Sequence, residues 1–239
     1  MRPNAFRNHS ALGGFYFRAG RYADAAAAYH TVTELQPDST WGFINLGAAY
    51  QAAGDNAHAL ENFQRSLTLA PEPEAYSNIG TIRYAEGRYQ DAALAYERAV
   101  TLGPRNPTSH RNLGDAYLRL GARDKARAEF RQAADLTGDL LKVNPGDARV
   151  LASHALYLAK AERRTEALRD AARAAAMSPG DGGVLYARAV VHALCGQPRE
   201  AAAWLERALA QGYSPALARE DDDLASIRMF PRVRAALRR

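Results

Sequence analysis

Asn106-Pro107-Thr108-Ser109-His110-Arg111-Asn112-Leu113-Gly114-Asp115-Ala116-Tyr117 decides the fold, because its core recurs. The pattern Asn-Leu-Gly-x-x-Tyr stands earlier as Asn45-Leu46-Gly47-Ala48-Ala49-Tyr50. Looser copies are Leu12-Gly13-Gly14-Phe15-Tyr16 and Asn78-Ile79-Gly80. The four glycines lie 34, 33 and 34 residues apart. A fixed period of this length means stacked supersecondary units, each burying its apolar face on its neighbours rather than in one globular core.

With the key glycine as position 8, four units begin at Phe6, Thr40, Pro73 and Pro107. Position 7 is Leu12, Leu46, Ile79 and Leu113; position 20 is Ala25, Ala59, Ala92 and Ala126; position 24 is Tyr29, Phe63, Tyr96 and Phe130. On a helix, positions 4, 7, 8 and 11 share one stripe. Gly at 8 and Ala at 20 are small where two helices cross, and the aromatic at 24 fills the space beside them. Gly20, Gly54, Gly87, Gly121 and Gly196 are placed to end first helices in the left-handed conformation. Pro37, Pro71, Pro104, Pro145 and Pro179 close second helices, each two residues after an apolar residue. Asp38 and Asn106 are expected to cap the helices that follow.

The fourth unit breaks the rhythm, since Val143-Asn144-Pro145 arrives seven residues late. Seven residues are nearly two helical turns, so the second helix can lengthen over about residues 123–143 without rotating its apolar stripe, with Gly138 as its weak point. Two degenerate units follow, from Ala148 and Gly182. They keep small residues at the crossings and lose most of the aromatics. The tail has an acidic turn, Glu220-Asp221-Asp222-Asp223, and an amphipathic helix with Val233 and Leu237 that would shield the last apolar face. Met1–Ala5 is too short to cap the other end, which suggests an upstream domain in a longer protein.

These residues resemble the tetratricopeptide repeat (TPR), with Leu-Gly at 7–8, Tyr at 11, Ala at 20, an aromatic at 24 and Pro at 32. The resemblance implies an all-α fold: a right-handed α-solenoid of about six helix-turn-helix units with a C-terminal capping helix. Residues 1–147 would hold four well-formed units, 148–215 two degenerate ones and 216–239 the cap. The order of four strong units, an elongated helix, Leu156-Tyr157-Leu158-Ala159-Lys160 and the Pro231-Arg232-x-Arg234 tail looks like the C-terminal TPR region of bacterial serine/threonine protein kinases. That resemblance implies a docking role in cytoplasmic signalling, without the kinase residues themselves.

Composition narrows the chemistry. Cys195 is the single cysteine, which leaves no internal disulfide and no cysteine-based zinc site. The six histidines fall in different units with no short metal spacing, and there is no phosphate loop, Gly-x-Ser-x-Gly or kinase signature. The sequence therefore points to no catalytic residues, no metal and no cofactor. No apolar run approaches the length of a membrane span. The net charge of +5 is C-terminal: residues 1–72 hold 5 Lys and Arg against 6 Asp and Glu, whereas residues 107–239 hold 22 against 16. The interleaved acids argue against a nucleic-acid partner, although a basic second half keeps that reading as a third alternative.

What remains is binding. Positions 2, 5, 6, 9, 12 and 13 lie opposite the packing stripe, on the face that lines the concave surface of such a stack. Asn45, Asn78 and Asn112 all fall at position 6. A carboxamide both donates and accepts, so a row of them at one-repeat spacing can grip an extended peptide backbone without reading its side chains. This row looks like the asparagine ladder of the TPR array of O-linked N-acetylglucosamine transferase; asparagine near a helix start also simply tolerates solvent. Trp41, Tyr84, Arg18, Arg111, Asp115 and Arg119 complete the candidate peptide-binding set. The carboxylate clamp of chaperone-binding TPR proteins fits poorly, because Ser10, Ile44 and Ser77 stand where it needs basic residues. The expected function is a non-catalytic scaffold holding a protein or peptide partner, with self-association into homo-oligomers as the alternative.

Overall fold

A computed structural model of the chain describes residues 5–238. All regular structure among the described residues is helical: α1 (Ala5–Arg18), α2 (Tyr22–Leu35), α3 (Thr40–Ala52), α4 (Asn56–Leu69), α5 (Pro73–Ala85), α6 (Tyr89–Leu102), α7 (Pro107–Arg119), α8 (Arg123–Val143), α9 (Ala148–Lys160), α10 (Arg164–Met177), α11 (Gly182–Leu194), α12 (Pro198–Ala210), α13 (Pro215–Glu220) and α14 (Pro231–Leu237). A 3₁₀ turn spans Asp222–Leu224. The expectation of an uncapped start at Met1–Ala5 falls almost entirely outside the described residues. The chain divides into two compact units, residues 1–122 and 123–239, the division falling between the two helices of the fourth repeat.

The second helices end where the prolines require. Leu35, Leu69, Leu102, Val143 and Met177 are their last residues, each two places before a proline that cannot continue the helix. The first helices end on glycines of positive φ, from 72° at Gly20 to 86° at Gly54. The glycine's own amide and the one after it reach back to the helix, as in Gly20 N–H to Phe17 O and Arg21 N–H to Tyr16 O. The fifth repeat has no glycine there, and Glu162 takes φ 64° instead. Asn106 caps α7, as expected, its Oδ1 accepting from the Thr108 amide at 2.9 Å. At α3 the expected cap, Asp38, gives way to Ser39, whose hydroxyl accepts from Gly42 N–H at 3.1 Å.

The two units are built alike. In residues 1–122, buried clusters form along the chain between successive helix pairs, around Tyr29 and Leu46, then Phe63 and Ile82, then Tyr96 and Leu113. The position-24 aromatic lies directly on the position-8 glycine: a Cβ added at Gly80 would sit 2.6 Å from the Tyr96 ring, and one at Gly47 2.7 Å from Phe63. In residues 123–239 the same crossings are filled differently. Position 8 is alanine (Ala155, Ala189) and position 24 shrinks to Ala171 or Leu205, all of them buried. The small residue grows as the large one shrinks, so the crossing stays close-packed. In the cap, Val233 and Leu237 are buried, with Leu224 and Ile227, against α11 and α12. The elongated α8 runs through Gly138 without a break.

Candidate functional site

In residues 1–122, α3 touches α5 and α5 touches α7, so the first helices of successive repeats share one surface. The expected site residues divide on that surface by what they already hold. Asn45 is committed locally: its Nδ2 donates to Trp41 O at 2.8 Å, one turn back. Asn78 and Asn112 are half-buried, and neither carboxamide has a partner among the described residues. Neither amide is among the buried polar atoms left without a partner, so both are open to water and to a ligand's backbone.

The charged members of the set pair within it. Arg111 Nη1 lies 3.1 Å from Asp115 Oδ2, an i,i+4 bridge along α7 whose carboxylate is only 16% exposed. Arg119 is stacked over the Tyr89 ring at 4.7 Å and donates to its hydroxyl. Tyr84 packs edge-on against the same Tyr89 ring, centroids 5.2 Å apart. Trp41 stands half-exposed, edge-on to Tyr29 at 5.9 Å. Arg18 is exposed near the same Tyr29 and lowers its phenol pKa, against a larger upward push from burial.

Side chains of α5, α6 and α7 make hydrogen bonds that sequence reading missed. The buried Tyr96 hydroxyl donates to Thr81 Oγ1 at 3.2 Å, and Thr81 Oγ1 donates in turn to Ser77 O at 3.0 Å. Burial pushes the Tyr96 phenol pKa up, keeping it a neutral donor. The Tyr117 hydroxyl donates to Glu97 Oε1 at 2.7 Å. The signal was present in the sequence: the position-24 aromatics of the first and third repeats are tyrosines, whose hydroxyls need partners that a phenylalanine does not.

In residues 123–239, Lys160 at position 13 of the fifth repeat and Tyr186 at position 5 of the sixth fall on the stripe expected to line a groove, and both are used otherwise. Lys160 Nζ holds Asp223 Oδ2 at 2.6 Å and lies over the Phe130 ring at 5.3 Å. The Tyr186 hydroxyl donates to Asp221 Oδ2, its ring stacked on Tyr213 with centroids 3.8 Å apart. Asp221 Oδ1 also accepts from the Asp223 amide, and Arg228 donates to Asp221 O. The acidic turn is thus a brace that ties the cap to α9 and α11.

The histidines occupy separate local settings. His110 donates from Nε2 to Pro104 O at 2.9 Å, His154 Nδ1 lies 3.1 Å from Asp170 Oδ2, and His192 Nδ1 is 2.6 Å from Gln197 Oε1. Burial lowers the pKa of both His154 and His192. Among the described residues no group of three or more His, Cys, Asp or Glu could hold a metal ion, and no helix is long and apolar enough to cross a membrane.

Comparison with known proteins adds the repeat's identity. Models of the tetratricopeptide repeat match residues 5–72, 109–139 and 153–216, and a TPR-repeat model matches residues 80–121. Small glutamine-rich tetratricopeptide repeat-containing protein 2 of Mycosarcoma maydis is 29% identical over 52% of this chain and 36% of its own length. Photosystem I assembly protein Ycf3 of Synechococcus sp. (strain WH7803) is 32% identical over 42% of this chain and 64% of its own length. The chain thus spans less than two thirds of these curated relatives. The solved structure of pilF from Pseudomonas aeruginosa shares the fold, with a TM-score of 0.60, 19% identity and coverage of 95% of this chain and 98% of that one.

Proposed function

We propose, from the premise that this chain is an array of tetratricopeptide repeats, that it is a non-catalytic scaffold. It holds an extended segment of a protein partner against the first-helix surface of residues 1–122, on the concave side of the stack. The observation that carries this reading is the pair of half-buried carboxamides, Asn78 and Asn112, one repeat apart on touching helices and without partners among the described residues. Each can give or take a backbone hydrogen bond with a strand-like peptide. Trp41, with half its surface exposed, offers an aromatic anchor; Arg18, Tyr84, Arg119 and the Arg111–Asp115 bridge line the path, and Asn45 can join by releasing Trp41 O. A docking role in cytoplasmic bacterial signalling, which the sequence resemblance implies, is part of the same proposal.

The test uses a peptide selected from a random library against the whole chain. Asn78→Ala with Asn112→Ala should weaken its binding by roughly tenfold, as two hydrogen bonds of about 0.5–1.5 kcal/mol each imply. The unfolding temperature should not move. Equal affinity for the wild type and the double variant contradicts the proposal.

A further inference from the structure

We propose that α1 is a docking site for an amphipathic helix of a protein partner, one with alanine-sized residues along a stripe and acids near its two ends. Positions 3, 7 and 10 of a first helix face the preceding repeat. In the second repeat these are Gly42, Leu46 and Ala49, and in the fourth Ser109, Leu113 and Ala116, all buried. Leu46 and Ala49 cluster with Ala26, Tyr29 and Val32 of α2, and Leu113 and Ala116 with Ala93 and Tyr96 of α6. In α1 the same positions hold Asn8, Leu12 and Phe15, and all three are exposed. Leu12 is 40% exposed where Leu46 and Leu113 are 2%. Phe15 is 58% exposed, although position 10 is buried in every later repeat, as Ala49, Ile82, Ala116, Tyr157 and Val191. One exposed apolar side chain is ordinary, but two adjacent ones at positions that the array elsewhere covers mark an interface without its other half.

The other repeats show what fits such a face. It is a second helix, lying antiparallel across a short connection such as residues 36–39. A large aromatic at position 10 has its precedent in Tyr157, which is 7% exposed and clusters with Ala133 and Ala134 of α8. An occupant over Phe15 therefore presents alanines there. Its charge follows from α1, which carries Arg7, His9 and Arg18 and no acid. Arg7 and Arg18, at positions 2 and 13, are exposed beside the apolar stripe near its two ends. Acids near both ends of the incoming helix complement them. A second copy of this chain fits worse. Pairing α1 with α1 sets arginine against arginine with no acid on either helix. The helix of this chain that does match in composition, α2, already has Ala26, Tyr29 and Val32 buried in its own fold. The surface takes a helix rather than an extended segment and uses neither Asn78 nor Asn112, so it does not rest on the asparagine reading.

NMR titration of the whole chain with a peptide of the α2 sequence, Tyr22–Leu35, tests it. The peptide carries Asp24 and Glu34 and is stapled as a helix on the side away from Ala26, Tyr29 and Val32. Amide resonances of α1 should shift in step with occupancy. Leu12→Ser with Phe15→Ser should weaken binding tenfold or more while the unfolding temperature changes little, since both side chains are exposed. Asp24→Lys with Glu34→Lys in the peptide should weaken it likewise, and Arg7→Glu with Arg18→Glu in the protein should restore binding of that altered peptide. Asn78→Ala with Asn112→Ala should leave binding as it is. Wild-type affinity in the Leu12→Ser, Phe15→Ser variant overturns the proposal, as do α1 resonances that stay in place or a loss in the asparagine variant. Equal binding of the two peptides to the wild type overturns the assignment to an acidic helix. A wild-type dimer that the Leu12→Ser, Phe15→Ser variant loses overturns the assignment to a separate partner.

Discussion

At the scale of single residues, one position in each repeat ends the first helix, and its chemistry is visible because the fifth repeat lacks the usual glycine. Glu162 adopts φ 64°, and its carboxylate lies 3.3 Å from Arg127 in a well-exposed ion pair. Such pairs contribute about 0.2–1 kcal/mol. Left-handed backbone costs a side chain with a Cβ roughly 1–2 kcal/mol, while glycine's extra freedom in the unfolded chain takes back about 0.5–1 kcal/mol. Comparing Glu162→Gly with Glu162→Ala cancels the ion pair, since both lose it. The glycine variant should be the more stable by about 0.5–1 kcal/mol in denaturant unfolding. An alanine variant of equal or greater stability would show that this backbone is not strained. The residue scale is also where sequence reading fell shortest. Periodicity places Lys160 and Tyr186 on a groove-facing stripe, yet their side chains reach the acidic turn more than thirty residues away. A turn written as four consecutive acids states its charge and not its partner.

At the scale of elements, most of the structure was legible. Helix α8 runs over Arg123–Val143, the span that the late Val143-Asn144-Pro145 predicts. A seven-residue insertion keeps the apolar stripe in phase, so the helix lengthens rather than breaks. Its extra turns leave Leu140 and Val143 exposed. Gly138 sits inside it with room to spare, since an added Cβ would meet only His154 Nε2 at 3.7 Å. Gly138→Ala should therefore stabilise the helix by about 0.5–1 kcal/mol and slow amide exchange over residues 138–143. Unchanged exchange there would mean that the glycine is not the helix's weak point. The caps were read less well: Asp38 and Ser39 are both good N-cap types, and only the backbone decides that Ser39 takes the role. The six-residue α13 has too few residues for any periodicity to register.

At the scale of the molecule, the 34-residue period carries the architecture, because repeating units need only their neighbours to bury a core. The same period places the asparagines, but it cannot say which of them are free. Asn45 is bonded to its own helix while Asn78 and Asn112 are not, a difference that no spacing encodes. The stacking of Arg188 on Trp204 was likewise hidden, since the two are 16 residues apart in the sequence. The central claim is that Asn78 and Asn112 hold a peptide backbone through their carboxamides. Side-chain amide NMR of those two residues during titration with a library-selected peptide tests it most directly. Both NH₂ resonances should shift downfield in step with occupancy; a titration that saturates while both stay in place would contradict the account.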